Sequence, residues 1–309
     1  MEKRSIGSLS VSVIGLGCNN FGWRIDAAAT ERVVHAALDA GINFFDTADI
    51  YGGTLSEQFL GRALGSRRSE VVVATKFGMA VDDRRKGAKP DYVRRAAEDS
   101  LRRLGTDCID LYQLHQPDPS VPIGDTLEAL DGLVRAGKVR EIGCSNFSAA
   151  QIHGSEDVVR PDAARFVSLQ NEYSLLRRDP ESGVLSECVN RSIAFLPYFP
   201  LASGLLSGKY RKGQPAPHGT RLTSGGRFGG RLEGPDMDRA EQLSRFAAAR
   251  GRSLLELALS WLVMQPSVAS VIPGATSPEQ VHANVAAADW RLTTEELAAV
   301  DAIAPPPDK

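Results

Sequence analysis

Four residues that together could protonate a carbonyl oxygen follow short apolar segments of the chain. Asp46 and His115 each come directly after such a segment, Lys76 follows Val71–Thr75, and Tyr51 stands five positions beyond Asp46. A phenol has a pKa of about 10 and is a poor acid at neutral pH, but a nearby ammonium stabilises the phenolate and so lowers that pKa. A carboxylate paired with the lysine would hold the ammonium in place, and a histidine would orient the substrate oxygen. The set predicts proton transfer to an oxygen on which negative charge develops.

Each of these residues also has a structural interpretation. Asp46 would suit a turn, Lys76 a solvated strand end, His115 a buried structural site and Tyr51 a loop. Their joint occurrence after predicted strands favours the chemical interpretation. The set supplies no hydride and no obvious nucleophile, so a carbonyl reduction would need a nicotinamide cofactor. A Schiff-base lysine in an aldolase-like barrel is an alternative for Lys76, which the accompanying Tyr, His and Asp disfavour.

The apolar segments that precede these residues are predicted strands. They are rich in β-branched residues and apolar almost throughout, which is typical of parallel strands covered on both faces. Segments with helical spacing lie between them, and in Pro90–Leu104 the apolar residues share one face. The eight predicted strands are residues 11–16, 42–45, 71–74, 109–114, 139–143, 166–169, 193–196 and 268–272.

Helix starts are predicted where a hydroxyl residue precedes Glu or Gln by three positions. The two side chains of such a pair can cap backbone N–H groups that have no partner within the helix. Pro278 at a first helical position supports one of these starts. The pairs are Thr54/Glu57, Ser148/Gln151, Ser253/Glu256, Ser277/Gln280 and Thr293/Glu296.

Strands that alternate with helices predict a single α/β domain over residues 1–309, a (β/α)8 TIM barrel. A doubly wound open sheet is the alternative. Turn residues at Gly7 predict an N-terminal hairpin before the barrel, and an extra helix is expected near the C-terminus. Residues 211–234, rich in Gly, Pro and Arg, predict a long loop after strand 7 that would be a lid or a surface loop.

Composition excludes several classes of function. The 36 basic and 38 acidic residues give a net charge of −2, which provides no field for nucleic acid or anionic lipid. The apolar runs are far shorter than the roughly 20 residues that cross a bilayer, and the first residues lack a signal-peptide pattern. The four scattered cysteines indicate neither a disulfide framework nor a zinc site. We therefore expect a cytoplasmic protein without metal, nucleic acid or membrane as partners.

A dinucleotide would have to bind near the four residues. The Rossmann pattern fails, because Asn20 stands where the third glycine after Gly15 and Gly17 would fall. Barrels bind phosphates instead on the loops after strands 7 and 8, against a helix N-terminus. Lys209 and Arg221 provide cations before such a helix.

Longer motifs give the chain a family resemblance. With these motifs in this order, the sequence resembles the aldo/keto reductases over nearly its whole length. The motifs are FFDTADIYG at residues 44–52, SLRRL at 100–104 running on through DLYQLH at 110–115, GKVREIGCSNF at 137–147, QNEYS at 170–174, PLASGLLSGKY at 200–210 and IPG at 272–274.

The resemblance implies a (β/α)8 barrel that binds NAD(P)(H) across the C-terminal rim of the strands and reduces an aldehyde or ketone to an alcohol. Tyr51 would be the general acid in reduction and the general base in the reverse direction. Lys76 would tune Tyr51, Asp46 would hold Lys76, and His115 would position the carbonyl. The implied cofactor contacts are Ser145, Asn146 and Gln170 at the carboxamide, Tyr198 on the nicotinamide ring, Leu201, Gly204, Leu206, Lys209 and Arg221 along the pyrophosphate, Gly274, Thr276, Gln280 and Asn284 at the adenosine end, and Gly17, Cys18 and Asn19 near cofactor or substrate.

Departures from the family pattern bear on cofactor choice and on function. Many members carry Lys and Arg at the positions of Gly274 and Gln280, where they bind the 2′-phosphate of NADPH. The pattern is more similar to the potassium-channel β-subunit branch and related bacterial oxidoreductases, which still use NADPH. We therefore favour NADP(H), with NAD(H) as the alternative, and expect a small-molecule carbonyl substrate. A regulatory or sensor subunit that binds the cofactor with vestigial turnover is the alternative function.

Overall fold

The computed structural model describes residues 1–217, 222 and 234–307. Within these residues, seven parallel strands form one sheet in chain order that curves into a nearly closed barrel, and a separate two-stranded hairpin precedes it. The hairpin strands are β1 (Lys3–Ile6) and β2 (Leu9–Ser12), and the barrel strands are β3 (Leu16–Gly17), β4 (Phe44–Asp46), β5 (Val72–Phe77), β6 (Ile109–Leu114), β7 (Val139–Ser145), β8 (Phe166–Glu172) and β9 (Ala194–Tyr198).

Helices follow the barrel strands, and none among the described residues is long and apolar enough to cross a membrane. The last helix, α10, is the extra C-terminal helix that the sequence predicts. The predicted loop at residues 211–234 lies largely outside the described residues. The helices are α1 (Ala27–Asp39), α2 (Leu55–Leu64), α3 (Pro90–Leu104), α4 (Ile123–Arg135), α5 (Ala149–Asp157), α6 (Val184–Asn190), α7 (Pro235–Ala248), α8 (Leu254–Val263), α9 (Pro278–Ala286) and α10 (Thr294–Ile303).

The eighth predicted strand closes the barrel through single bridges and not as a regular strand. Val268 pairs in parallel with Phe195 of β9, and Val271 pairs in parallel with Ile14. The Val271 carbonyl accepts a hydrogen bond from the Gly15 N–H at 2.8 Å. The predicted TIM-barrel architecture is confirmed, with an irregular segment in the eighth position.

The first predicted strand, residues 11–16, is divided between two elements. Its beginning belongs to β2, which pairs with β1 in the predicted N-terminal hairpin, and barrel strand β3 starts only at Leu16. The hairpin side chains Ile6, Leu9 and Val11 are almost completely buried against apolar residues of β4, β5 and β6. The hairpin therefore covers the N-terminal end of the barrel, where those strands begin.

Three of the five predicted capping boxes are present. At Thr54 the predicted box is wrong, because Thr54 has a φ of 80° and its side chain caps no N–H group, although α2 does begin at Leu55. At Ser277 the predicted box is also wrong, although α9 does begin at Pro278. The boxes that form are Ser148/Gln151, Ser253/Glu256 and Thr293/Glu296.

The barrel interior changes from apolar to polar along the strands. Because side chains two positions apart share a strand face, Phe44 and Asp46 both point inward, as do Ala74 and Lys76. On β6, Gln113 is the register partner of Lys76. The C-terminal end of the barrel thus contains a buried polar layer above an apolar one.

Candidate active site

A cavity of about 870 Å³ opens at the C-terminal ends of the strands, above this polar layer. Its volume lies in the range of roughly 300–1,000 Å³ that is typical of small-molecule sites. Lys76 and Leu206 are fully buried in its wall and do not line it. Arg221 lies outside the described residues. The predicted residues that line the cavity are Asp46, Tyr51, His115, Gly17, Cys18, Asn19, Ser145, Asn146, Gln170, Tyr198, Leu201, Gly204, Lys209, Gly274, Thr276, Gln280 and Asn284.

Asp46 and Lys76 form a buried ion pair beneath the cavity. Lys76 Nζ donates to Asp46 Oδ2 at 2.6 Å and to the Thr47 carbonyl oxygen at 2.8 Å, and Lys76 is 0% exposed. Burial disfavours the ammonium, but Asp46 and Tyr51 outweigh burial, so the pKa of Lys76 is raised. Lys76 therefore stays charged at neutral pH.

Tyr51 begins a short 3₁₀ turn, Tyr51–Thr54, that follows β4 and places its ring beside Lys76. Lys76 Nζ lies 5.2 Å from the ring centroid. Burial raises the pKa of Tyr51, and the Lys76 ammonium opposes this effect only in part. The predicted lowering by the Lys76 ammonium is present, but the Tyr51 pKa is raised overall, because desolvation of the phenolate outweighs the ammonium. Tyr51 is a protonated phenol at neutral pH, with a cation in place to stabilise charge that develops on its oxygen.

His115 follows β6 and faces Tyr51 across the cavity. The two ring centroids are 5.8 Å apart and the rings meet edge to face. Burial and the nearby Lys76 ammonium lower the pKa of His115 from 6.5 to about 3, so the imidazole is neutral at physiological pH. Its Nδ1 has no hydrogen-bond partner among the described residues. A neutral ring can donate one N–H to a substrate oxygen.

The three residues predicted to bind a carboxamide are joined to one another. Ser145 Oγ donates to the Gln170 carbonyl oxygen at 2.6 Å, and Asn146 Nδ2 donates to Ser145 Oγ at 3.1 Å. The Tyr198 hydroxyl donates to Asn146 Oδ1 at 2.8 Å. Asn146 has a φ of 62°, a left-handed conformation that asparagine adopts more readily than most residues with a side chain. The network fixes these polar groups on one wall of the cavity.

Strained backbone follows β9 where the sequence predicts only contacts to a pyrophosphate. Phe199, Ala202 and Ser203 have φ values of 49°, 47° and 62°. Such conformations cost about 1–3 kcal/mol each and concentrate at ligand-binding sites. Phe199 and Ser203 line the cavity together with Gly204, whose φ of 102° suits glycine.

Two glycines form the part of the cavity wall where β3 meets the eighth segment. A Cβ on Gly17 would lie 2.8 Å from the Ile272 carbonyl oxygen, and a Cβ on Gly274 would lie 3.0 Å from Asn20 Nδ2. Side chains at either position would therefore collide with the wall. The absence of these side chains lets β3 and the eighth segment approach each other closely.

At the far end of the cavity, Gln280 has a different role from the predicted capping box. Its Oε1 accepts hydrogen bonds from the Thr276 N–H at 2.9 Å and from Thr276 Oγ1 at 3.2 Å. Gln280 thus holds the loop before α9. Asn284, one turn further along α9, is buried and lines the cavity.

A second charged cluster lies behind β5, between the barrel and helices α2 and α3. Glu57 is 0% exposed and accepts from Thr75 Oγ1 at 2.5 Å and from Arg103 Nε at 2.6 Å. Asp49 is also buried, and its backbone N–H donates to the Lys76 carbonyl oxygen at 3.1 Å. Burial, followed by repulsion from Glu57, raises the pKa of Asp49 from 3.8 to about 7. Glu57, predicted as a capping residue, instead links α2 to its neighbours.

Sequence reasoning did not predict several residues of the site. Ala283 and Phe199 line the cavity, and the sequence pattern predicts no role for either. Both residues lie close in sequence to residues that were predicted to bind the cofactor, and this proximity could have identified them. The other lining residues that were not predicted are Asn20, Arg24, Ile50, Met79, Gln116, Pro200, Ser203, Ser207, Leu255, Ile272 and Pro273.

Comparison with known proteins agrees with this architecture. The model of the family described as "Aldo/keto reductase family" matches residues 13–305. A similar solved structure is the glycerol dehydrogenase AKR11B4 from Gluconobacter oxydans, with a TM-score of 0.84 and 31% sequence identity over 99% of this chain and 97% of that chain. The protein therefore belongs to the aldo/keto reductase family of oxidoreductases, whose members use nicotinamide cofactors and act on small carbonyl compounds.

Proposed function

We propose that the protein reduces an aldehyde or ketone to an alcohol with NADP(H) as cofactor and Tyr51 as the proton donor. The observation that carries the proposal is the contact between the buried Asp46–Lys76 pair and a phenol that lines the cavity. A structural ion pair would have no need for a neighbouring tyrosine that faces a cavity. The neutral His115 across the cavity completes the set.

The bound nicotinamide would supply the hydride. Tyr51 then donates its hydroxyl proton to the carbonyl oxygen, on which negative charge develops. The Lys76 ammonium stabilises the phenolate that remains, and Asp46 keeps Lys76 charged and in place. His115 donates its ring N–H to the same substrate oxygen and so orients the carbonyl. In the reverse direction Tyr51 accepts the proton of an alcohol.

The residues that line the groove fit an extended dinucleotide. Tyr198 lies beside the amide network of Ser145, Asn146 and Gln170, which presents hydrogen-bonding groups suited to a carboxamide. Lys209 contributes a cation to the cavity wall near the strained backbone after β9. This chemistry matches a planar ring at one end and phosphates in the middle of the groove.

NADP(H) is proposed over NAD(H) because the sequence resembles a branch of the family that uses NADPH. Gly274 and Gln280 place no cation at the adenosine end. The distinction can be measured directly by quenching of protein fluorescence with NADPH and with NADH. A lower Kd for NADPH supports the proposal, whereas a lower Kd for NADH would reassign the cofactor.

The reaction is tested with the variant Tyr51→Phe on a panel of aldehydes, ketones and sugar aldehydes. Because the proton donor is removed while the ring remains, kcat should fall by at least about a hundredfold, as general acid catalysis contributes about 10²–10⁴. The Kd for the cofactor should stay unchanged. The panel includes glyceraldehyde, and glycerol in the reverse direction, because the similar Gluconobacter structure is a glycerol dehydrogenase.

Tyr112→Phe is the matched control. Tyr112 is fully buried in β6 and its hydroxyl has no hydrogen-bond partner among the described residues, so its removal should leave kcat unchanged. Full turnover by Tyr51→Phe would refute Tyr51 as the donor. Tight cofactor binding by the wild type with negligible rates across the whole panel would favour the sensor function instead.

A further inference from the structure

Gln113 is a buried amide in β6 that the proposed reaction does not use. It is 0% exposed and does not line the cavity. Its Nε2 donates to Asp46 Oδ1 at 3.3 Å, whereas its Oε1 has no hydrogen-bond partner in the part of the chain that the structure describes. The Gln113 side chain therefore contacts Asp46 and has no direct access to a ligand in the cavity.

The burial of this amide is unfavourable for folding. A buried carbonyl oxygen without a hydrogen bond loses its hydration and gains nothing in return, whereas an apolar side chain of similar size would avoid that loss. The side chain of Ser168 lies next to Gln113 across Gly143, because a Cβ on Gly143 would approach both. Ser168 Oγ also has no partner among the described residues. Packing alone thus gives no reason for a glutamine at this position.

The carboxylate of Asp46 offers a reason. Oδ2 accepts from Lys76 Nζ, and Oδ1 accepts from two amides, Gln170 Nε2 at 2.8 Å and Gln113 Nε2 at 3.3 Å. The amides come from β8 and β6, two separate strands of the barrel. A rotation of the carboxylate would break these contacts and move Oδ2 away from Lys76.

We propose that Gln113 is a positioning residue that, together with Gln170, fixes the Asp46 carboxylate so that Lys76 stays directed towards Tyr51. The inference rests on the proposed function of these residues. Gln170 lines the cavity and is also proposed to bind the cofactor carboxamide. Gln113 has the single task of holding Asp46, and it continues to do so when Gln170 engages the cofactor.

The test compares Gln113→Met, Gln113→Asn and Ser168→Ala with the wild type. Methionine has nearly the size of glutamine and makes no comparable hydrogen bond, and asparagine keeps the amide but is one methylene too short to reach Asp46. Both Gln113 variants should lose about tenfold in kcat, the effect of about one hydrogen bond to a charged group. KM and the cofactor Kd should stay within about twofold, because Gln113 does not line the cavity. Ser168→Ala should keep the wild-type kcat.

Thermal unfolding separates positioning from a structural role. Gln113→Met removes an unpaired buried oxygen and also the hydrogen bond to Asp46, and these two effects on stability have opposite signs, so its Tm should stay close to that of the wild type while kcat falls. A kcat that does not change in Gln113→Met, or a kcat and a Tm that fall together, would overturn the proposal. An equal loss of kcat in Ser168→Ala would overturn it as well.

Failure of the proposed function gives a different result. If the wild type reduces no carbonyl on the panel, the crystal structures of the wild type and Gln113→Met decide the inference. A rotated Asp46 carboxylate that has lost its contact with Lys76 Nζ in the variant supports the positioning role. An Asp46–Lys76 pair with unchanged geometry refutes it.

Discussion

Asp49 and His115 are buried groups whose opposite pKa shifts should nearly cancel in their effect on stability between pH 7 and pH 5. Burial and Glu57 raise the pKa of Asp49 from 3.8 to about 7. Burial and Lys76 lower the pKa of His115 from 6.5 to about 3. As the pH falls, the folded state takes up a proton at Asp49, whereas the unfolded state takes one up at His115.

The size of each effect follows from these pKa values. Stability changes by about 1.36 kcal/mol per pH unit for each proton that one state binds and the other does not. Between pH 7 and pH 5, protonation of folded Asp49 raises the free energy of unfolding by ~2 kcal/mol, and protonation of unfolded His115 lowers it by ~2 kcal/mol. The stability that protonated Asp49 contributes is lost as the pH rises towards 7. The stability that neutral His115 contributes is lost as the pH falls from 6.5 towards 3.

Urea unfolding at pH 7 and pH 5 measures both effects in a double-mutant cycle of Asp49→Asn and His115→Gln. Compared with the wild type, Asp49→Asn should lose ~2 kcal/mol more on acidification, because only the His115 effect remains. His115→Gln should instead gain ~2 kcal/mol relative to the wild type.

The double variant is the control, because all other titrating groups are common to the four proteins. Its stability should change with pH as that of the wild type does. If either single variant has the same pH dependence as the wild type, that residue does not titrate as its burial requires. The reasoning about both buried groups would then fail.

Three further outcomes follow from the structure. Arg103→Ala leaves Glu57 buried without its cation and should lower the free energy of unfolding by about 3–5 kcal/mol in urea, whereas an unchanged urea midpoint would show that the pair contributes nothing. Tyr198→Leu should raise the cofactor Kd about two- to tenfold in a fluorescence titration, since a stacked ring contact is worth about 0.5–1.5 kcal/mol; an unchanged Kd would exclude the stacking role. Burial raises the pKa of all four cysteine thiols, and only Cys108 is partly exposed, so a thiol reagent should label Cys108 alone in the folded protein.

Much of the barrel could be predicted from sequence because parallel buried strands leave a plain signal. Residues 109–114 are apolar enough to be found directly, and the structure gives the same bounds for β6. Residues 11–16 are equally apolar, yet they divide between the hairpin and β3. An apolar sequence pattern indicates that residues are buried, and residues of the hairpin and of β3 are buried to a similar extent. The pattern therefore does not show where β2 ends and β3 begins.

The arrangement of the candidate site could be predicted where the chemistry requires a particular residue type after a strand. It could not be predicted where it depends on backbone conformation or on contacts between distant strands. The placement of Asp46, Lys76 and His115 follows from their position at strand ends, because those ends share one rim. Gln113 was not predicted, since its role depends on a neighbour across two strands that no local pattern specifies. The positive φ values of Phe199 and Ser203 arise from tertiary packing, which overrides the local preference of these residue types.

The seam between β3 and the eighth segment has a consequence for how a ligand would affect the whole molecule. Strand β3 has only two residues, and it meets its neighbour through isolated bridges such as that between Gly17 and Gly274. Both glycines also line the cavity. A molecule bound there would contact both β3 and the eighth segment and would stabilise the pairing between them. Ligand binding should therefore stabilise the closed barrel. Amide hydrogen exchange at Gly17 and Gly274 should slow when a ligand occupies the groove.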